Sequence, residues 1–159
     1  MAIEYTSDVY EINQVQNLNP YKKQRRKELL LGYSLKEDSV LINSQNIFVG
    51  NYNSTFRDGR INAFSYGLMV EYKHLSESEN SNDRWSIAPL FGNEFVLGKL
   101  KFGQQLGIYL VQNKRAPNSL LQQYYLRYLA SERISTGITL KAHGRVADYL
   151  SIQLGIVLK

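Results

Sequence analysis

Residues 134–143 read ISTGITLKAH, and the way their character alternates decides the fold. Ile134, Ile138, Leu140 and Ala142 fall on one parity, whereas Ser135, Gly137, Thr139, Lys141 and His143 fall on the other. A period of two marks a strand with two differently solvated faces. The last stretch repeats it, with Leu150, Ile152, Leu154, Ile156 and Leu158 against Tyr149, Ser151, Gln153, Gly155 and Val157. The alternation runs with little interruption from Lys99 to Leu158. Such faces suit a closed sheet standing between hydrocarbon and water.

Further upstream, Phe64, Tyr66, Leu68, Val70 and Tyr72 oppose Ala63, Ser65, Gly67, Met69 and Glu71. Near residues 27–36, Leu29, Leu31, Tyr33 and Leu35 oppose Glu28, Leu30, Gly32 and Ser34. A less regular strand is expected over 44–57, and others over 85–97, 99–112 and around Tyr124. The total is about eight strands, each near the length of a tilted membrane span. Asp58-Gly59, Gly98-Lys99, Ser131–Arg133 and Gly144-Arg145 read as turns, whereas 76–83 and 113–119 read as longer loops. The predicted fold is therefore all-β, an eight-stranded antiparallel up-and-down transmembrane β-barrel over residues 27–159. Residues 1–26 are polar and weakly patterned, and are expected to be a tail, a plug or a short extra strand.

Composition agrees with this reading. The chain has 159 residues, enough for one domain, and its 43% apolar fraction excludes general disorder. Twelve tyrosines lead its aromatics, a bias that favours strands. There is no cysteine, so disulfides and thiolate metal sites are excluded; no metal and no cofactor is expected. No apolar run approaches the roughly 20 residues of a spanning helix. A negative mean hydropathy excludes a helical membrane protein, but not a barrel whose alternate residues are polar. Nothing around Met1 has the makeup of a signal peptide, as expected of a processed outer-membrane chain.

Periodicity does not say which face is inside. A soluble lipocalin-type barrel turns the apolar parity inward around a ligand, and a membrane barrel turns it outward. Two features favour the membrane. Gly32, Gly67, Gly103, Gly107, Gly137 and Gly155 lie on the polar parity, where a narrow lumen is most crowded. Tyrosines and Trp85 lie toward strand ends, as interfacial girdles do. Eight strands enclose a lumen that side chains fill, so function is expected in loops, rim or wall rather than in a pore. The formal charge of +5 is concentrated in Lys22, Lys23, Arg25, Arg26 and Lys27. No recognition helix or stacking motif accompanies this run, so nucleic acid is not an expected partner. The run reads as a solvated strand end or as an attraction to anionic lipid headgroups, phosphorylated lipid A included.

Several segments carry a family resemblance: FGNEFVL at 91–97, LGIYL at 106–110, QQYYLRY ending at Tyr128, and LKAH with ADYL between Leu140 and Leu150. Together they resemble the barrel region of acyloxyacyl hydrolases and lipid A 3-O-deacylase-related outer-membrane proteins, from about Ala63 to the end. The resemblance implies a Gram-negative outer-membrane location. It also implies hydrolysis of ester-linked acyl chains of lipopolysaccharide at the lipid-facing surface, by a serine hydrolase triad.

Ester cleavage needs a nucleophilic hydroxyl, a histidine that takes its proton and an acid that orients the histidine. The resemblance places the histidine at His143, the candidate general base. The serine expected two residues later is Arg145, and Ser151 stands near where related sequences carry the acid. A rearranged site would use Ser135 or Ser151 as hydroxyl and Glu94 or Glu71 as acid. Ser135 lies eight residues from His143 on one strand, about 26 Å away, and is excluded. Ser151 is left as the hydroxyl of the candidate set with His143, and Glu94, with Glu71 as its alternative, is the acid. The opposing reading has His143 at a strand end bonded to Asp148 or a loop carbonyl, with Asp148 a turn or rim residue and His74 solvated. Two functions follow: a lipid A deacylase-like enzyme acting on outer-membrane lipid, or a non-enzymatic subunit whose wall contacts other outer-membrane proteins. A soluble lipid-binding barrel is the third.

Overall fold

Each alternating segment forms one strand of a single antiparallel sheet that closes on itself. The computed structural model describes residues 24–38, 43–57, 61–74, 84–111, 119–144 and 146–158. The tail or plug expected before Gln24, the turn at Asp58-Gly59 and the loop at 76–83 lie outside these residues, as do Arg145 and most of the 113–119 loop. The strands are β1 (Gln24–Asp38), β2 (Asn43–Arg57), β3 (Asn62–His74), β4 (Trp85–Leu97), β5 (Leu100–Ile108), β6 (Leu120–Leu129), β7 (Ile134–His143) and β8 (Val146–Leu158). Neighbours in sequence are neighbours in space, and β1 closes the barrel against β8 from Lys27↔Leu158 to Tyr33↔Ile152.

Two strand limits differ from expectation, each for a visible reason. β1 starts at Gln24 because its ladder with β2 continues to the pair Gln24↔Arg57. β5 ends at Ile108 because β4 carries Pro89, which has no N–H to give to the ladder. Regular pairing stops at Leu90↔Gly107 and returns only at Ile87↔Val111, three residues along one strand against four along the other. Tyr109 lies in this break.

The apolar parity faces outward. Leu31, Phe64, Leu106, Leu154 and Ile156 are exposed, and Ile152 is 70% exposed. The polar parity faces the lumen, where Glu28, Arg127 and Lys141 are each 1% exposed. The inward-apolar arrangement of a lipocalin-type barrel is thus not the one adopted. Midway along the lumen Ile47, Val49, Met69, Ala88, Leu90 and Leu121 make an apolar layer. Gln123 Nε2 reaches the Met69 sulfur at 2.8 Å. The interior is filled by side chains, as expected for eight strands.

β4 and β5 are joined by a two-residue turn in which Gly98 has φ +61°, the left-handed value that primed hairpin turns require at their first central position. This turn and the segment around Ser131 lie at one end of the barrel, the short-turn end. The β3–β4 and β5–β6 connections lie at the other, the loop end. Arg25, Arg26 and Lys27, the described part of the basic run, stand at the short-turn end, where Arg25 bonds Tyr66 and Arg26 Nε meets Glu28 at 2.8 Å.

Gly103 is on the inward parity for a steric reason. A Cβ there would lie 2.2 Å from Cζ of the Tyr125 ring, whose hydroxyl donates to Glu94 at 2.5 Å. Gly103→Val is expected to displace this ring and to lower stability by about 1–3 kcal/mol. Urea unfolding of the detergent-folded barrel measures it, and an unchanged midpoint would mean that Tyr125 has somewhere else to go.

Candidate functional site

The residue with the strongest claim to chemistry, His143, ends β7 at the loop end of the lumen. Its surroundings depend on an irregularity between β7 and β8. Lys141 pairs with Tyr149, but Ala142 pairs with Ala147, so Asp148 is the extra residue of a β-bulge. A bulge re-aims a side chain. Here it turns Asp148 into the lumen beside Tyr149, instead of leaving it on the outward parity that the alternation assigns to it.

Asp148 then meets three lysines from three strands. It accepts from Lys36 of β1, lies 3.5 Å from Lys141 of β7 and 3.9 Å from Lys73 of β3. Its Oδ2 is 3.7 Å from His143 Nδ1, an ion-pair distance too long for a hydrogen bond. The other imidazole nitrogen, Nε2, is 3.0 Å from the Tyr109 hydroxyl, and the two rings stack at 5.8 Å. With a proton on Nδ1 facing the carboxylate, Nε2 is the acceptor and Tyr109 the donor.

Glu71 of β3 anchors the same cluster. It is fully buried, accepts from Lys141 at 2.5 Å and from the Tyr149 hydroxyl, and has Lys73 at 3.4 Å. Lys141 also lies over the Tyr149 and Tyr109 rings at 5.0 and 5.4 Å. The cluster is a cross-braced set of opposite charges drawn from strands all round the lumen.

The other two candidates lie elsewhere. Ser151 is opposite Thr139, four residues from the His143 level, which is about 13 Å along the sheet. Its hydroxyl donates to the Thr139 carbonyl at 3.3 Å. Glu94 belongs to the short-turn half. There it accepts from Thr55 at 3.0 Å and from Tyr125, with Lys101 at 4.0 Å. His143, Ser151 and Glu94 therefore do not meet. Among the described residues, the hydroxyl that reaches His143 is the phenol of Tyr109, and the carboxylate is Asp148. His74 is exposed at the end of β3.

On the outer wall, Leu31, Phe48, Val70, Tyr72 and Trp85 surround a hollow of about 470 Å³ over Gly50. Its floor and sides are apolar, and Trp85 packs on Tyr72 at 4.8 Å at its loop-end rim.

A family model for the C-terminal domain of acyloxyacyl hydrolase matches residues 46–159, from early β2 to the end of the chain. The chain belongs to the acyloxyacyl hydrolase C-terminal domain family. No curated protein matches it. The family match leaves out β1, which supplies Glu28, Ser34 and Lys36 to the lumen and closes the sheet. In this acyloxyacyl hydrolase family barrel, alternation was enough to place Glu71 and Lys141 on the polar parity, which the structure turns inward. What it lacked was any sign of Lys36 and Lys73 at Asp148, because a bulge breaks the period on which the reading depends.

Proposed function

We propose that this chain is a Gram-negative outer-membrane barrel whose wall holds acyl chains of outer-leaflet lipid, lipopolysaccharide being the class its family implies. In this reading His143 braces the lumen and does not hydrolyse an ester. The orientation of His143 carries the proposal: the side chain is 5% exposed and lies inside, between Tyr109 and Asp148, whereas lipid chains would lie on the opposite face of the wall. Tyr109 supports the reading, since its hydroxyl lies 3.0 Å from Nε2 and its ring stacks on the imidazole. A continuous belt of exposed Leu, Ile and Phe supports the membrane placement, since soluble monomers rarely show apolar patches of this extent. The hollow at Gly50 offers that belt a recess into which a chain fits.

Mass spectrometry of lipid A incubated with the detergent-refolded barrel tests the reading, with His143→Ala alongside. The expected spectra retain every acyl chain with both proteins. Loss of one chain with the unaltered protein alone would make His143 a general base and replace this proposal with a deacylase.

A further inference from the structure

The outer wall of the barrel is almost free of charge. Among the described side chains that the eight strands turn outward, Arg25 and Lys27 of β1 are the charged ones, and both are exposed. They occupy successive outward positions at the short-turn end of the strand and are followed on the same face by Leu29, Leu31, Tyr33 and Leu35. His74, at the loop end of β3, is the other basic side chain described on this surface.

Neither cation meets a carboxylate. Arg25 donates from Nε to the Ser54 hydroxyl at 3.4 Å and from Nη2 to the Tyr66 hydroxyl, both on the outer face. Lys27 makes no ion pair among the described residues. The acids of this end are engaged or stand apart. Glu28 and Glu94 point into the lumen, where Glu28 meets Arg26, Lys101 and Arg127, and Glu94 accepts from Thr55 and Tyr125. Glu132 stands in the β6–β7 turn next to Arg133, across β8 from β1, and makes no ion pair with Arg25 or Lys27.

The neighbours of the pair fix its depth. Arg25 is in register with Phe56, which is in register with Phe64, and Lys27 is in register with Ser54, which is in register with Tyr66. Aromatic rings gather on a barrel wall where hydrocarbon gives way to headgroups. A cation on that wall is destabilising at the bilayer midplane and costs little near the surface, where its stem lies along apolar side chains and its head reaches out.

We propose that Arg25 and Lys27 form a docking site on the outer wall for the anionic headgroup of a glycerophospholipid at the short-turn membrane surface. Ser54 and Tyr66 hold the Arg25 guanidinium in place and use part of its donor set, leaving N–H groups for phosphate oxygens, and the Lys27 ammonium adds its own. The inference rests on the lipid-facing wall proposed above and not on whether His143 hydrolyses anything. Short turns are the periplasmic end of an outer-membrane barrel. The pair therefore addresses the inner leaflet, and not the phosphorylated lipid A that the basic run alone suggested.

Native mass spectrometry of the detergent-folded full chain, offered an equimolar mixture of phosphatidylglycerol and phosphatidylcholine, tests the site. Phosphatidylglycerol is expected to be retained about tenfold or more over phosphatidylcholine. Lys27→Gln should lower that ratio about fivefold, and the double variant Arg25→Gln/Lys27→Gln should bring it close to parity. Lys27 makes no ion pair, so its variant keeps the fold if replacing Arg25 disturbs Tyr66. Equal retention of the two lipids by the unaltered chain, or a preference that survives in the double variant, would overturn the proposal. A preference abolished by inorganic phosphate at constant ionic strength would also overturn it, in favour of a site for a free anion. Folding of the unaltered chain into phosphatidylcholine vesicles is measured in parallel. A barrel that folds there without any headgroup preference sinks this inference alone, whereas one that stays unfolded there removes the wall from the membrane and both readings with it.

Discussion

Glu71→Ala is expected to lower the unfolding free energy of the barrel by about 3–5 kcal/mol, the usual cost of removing one partner from a buried ion pair. Glu71 is fully buried, and Lys141, Lys73 and the Tyr149 hydroxyl all converge on its carboxylate. Removing it leaves Lys141, 1% exposed, with Asp148 at 3.5 Å as its remaining acid. The loss is therefore the desolvation of an undercompensated ammonium rather than the worth of one contact. The double variant Glu71→Ala/Lys141→Met should recover much of it, since replacing both charges by apolar groups is often nearly neutral. Urea unfolding in detergent, followed through Trp85 fluorescence, reads both numbers. A single-variant loss below about 1 kcal/mol, with no recovery in the double, would mean that the cluster is hydrated and contributes little.

Ile152→Arg probes the other face of the same wall. Ile152 is 70% exposed at the middle of β8, between Ile138 of β7 and Tyr33 of β1. If this face lies against hydrocarbon, the substitution should cost about 2–4 kcal/mol when the barrel folds into vesicles, as for a cation at the bilayer midplane. In water the same exposed substitution would change stability by no more than about 0.5 kcal/mol. The change in folding free energy in vesicles, variant against unaltered chain, is the measurement. A cost near zero in vesicles would remove the belt from the membrane and with it the lipid-wall proposal.

The architecture was legible in the sequence because a strand side chain alternates with a period of two over long, unbroken stretches. Glu28, Glu71, Lys101, Arg127 and Lys141 all lie on the parity that the alternation made polar, and all are buried in the lumen. Which parity faced inward was not legible from the period itself, since both closures share it. The candidate site was less accessible still. Tyr109 and His143 meet across 34 positions of chain, and such cross-lumen partners depend on barrel stagger, which no local pattern encodes. Asp148 enters the lumen through a bulge, where counting by twos gives the wrong face. The register that sets Ser151 opposite Thr139, four residues from the level of His143, is likewise absent from any local pattern.

The seam between β1 and β8 joins the first described strand to the last. Until β8 is in place, β1 and β7 each present an open row of backbone donors and acceptors, and hydrocarbon offers nothing to satisfy them. If the barrel lies in a bilayer, as proposed, its open edges are satisfied only once β8 has joined β7 to β1. Residues 146–158 thus act as the latch of the whole molecule, and a chain that ended before them would carry two sticky edges instead of none.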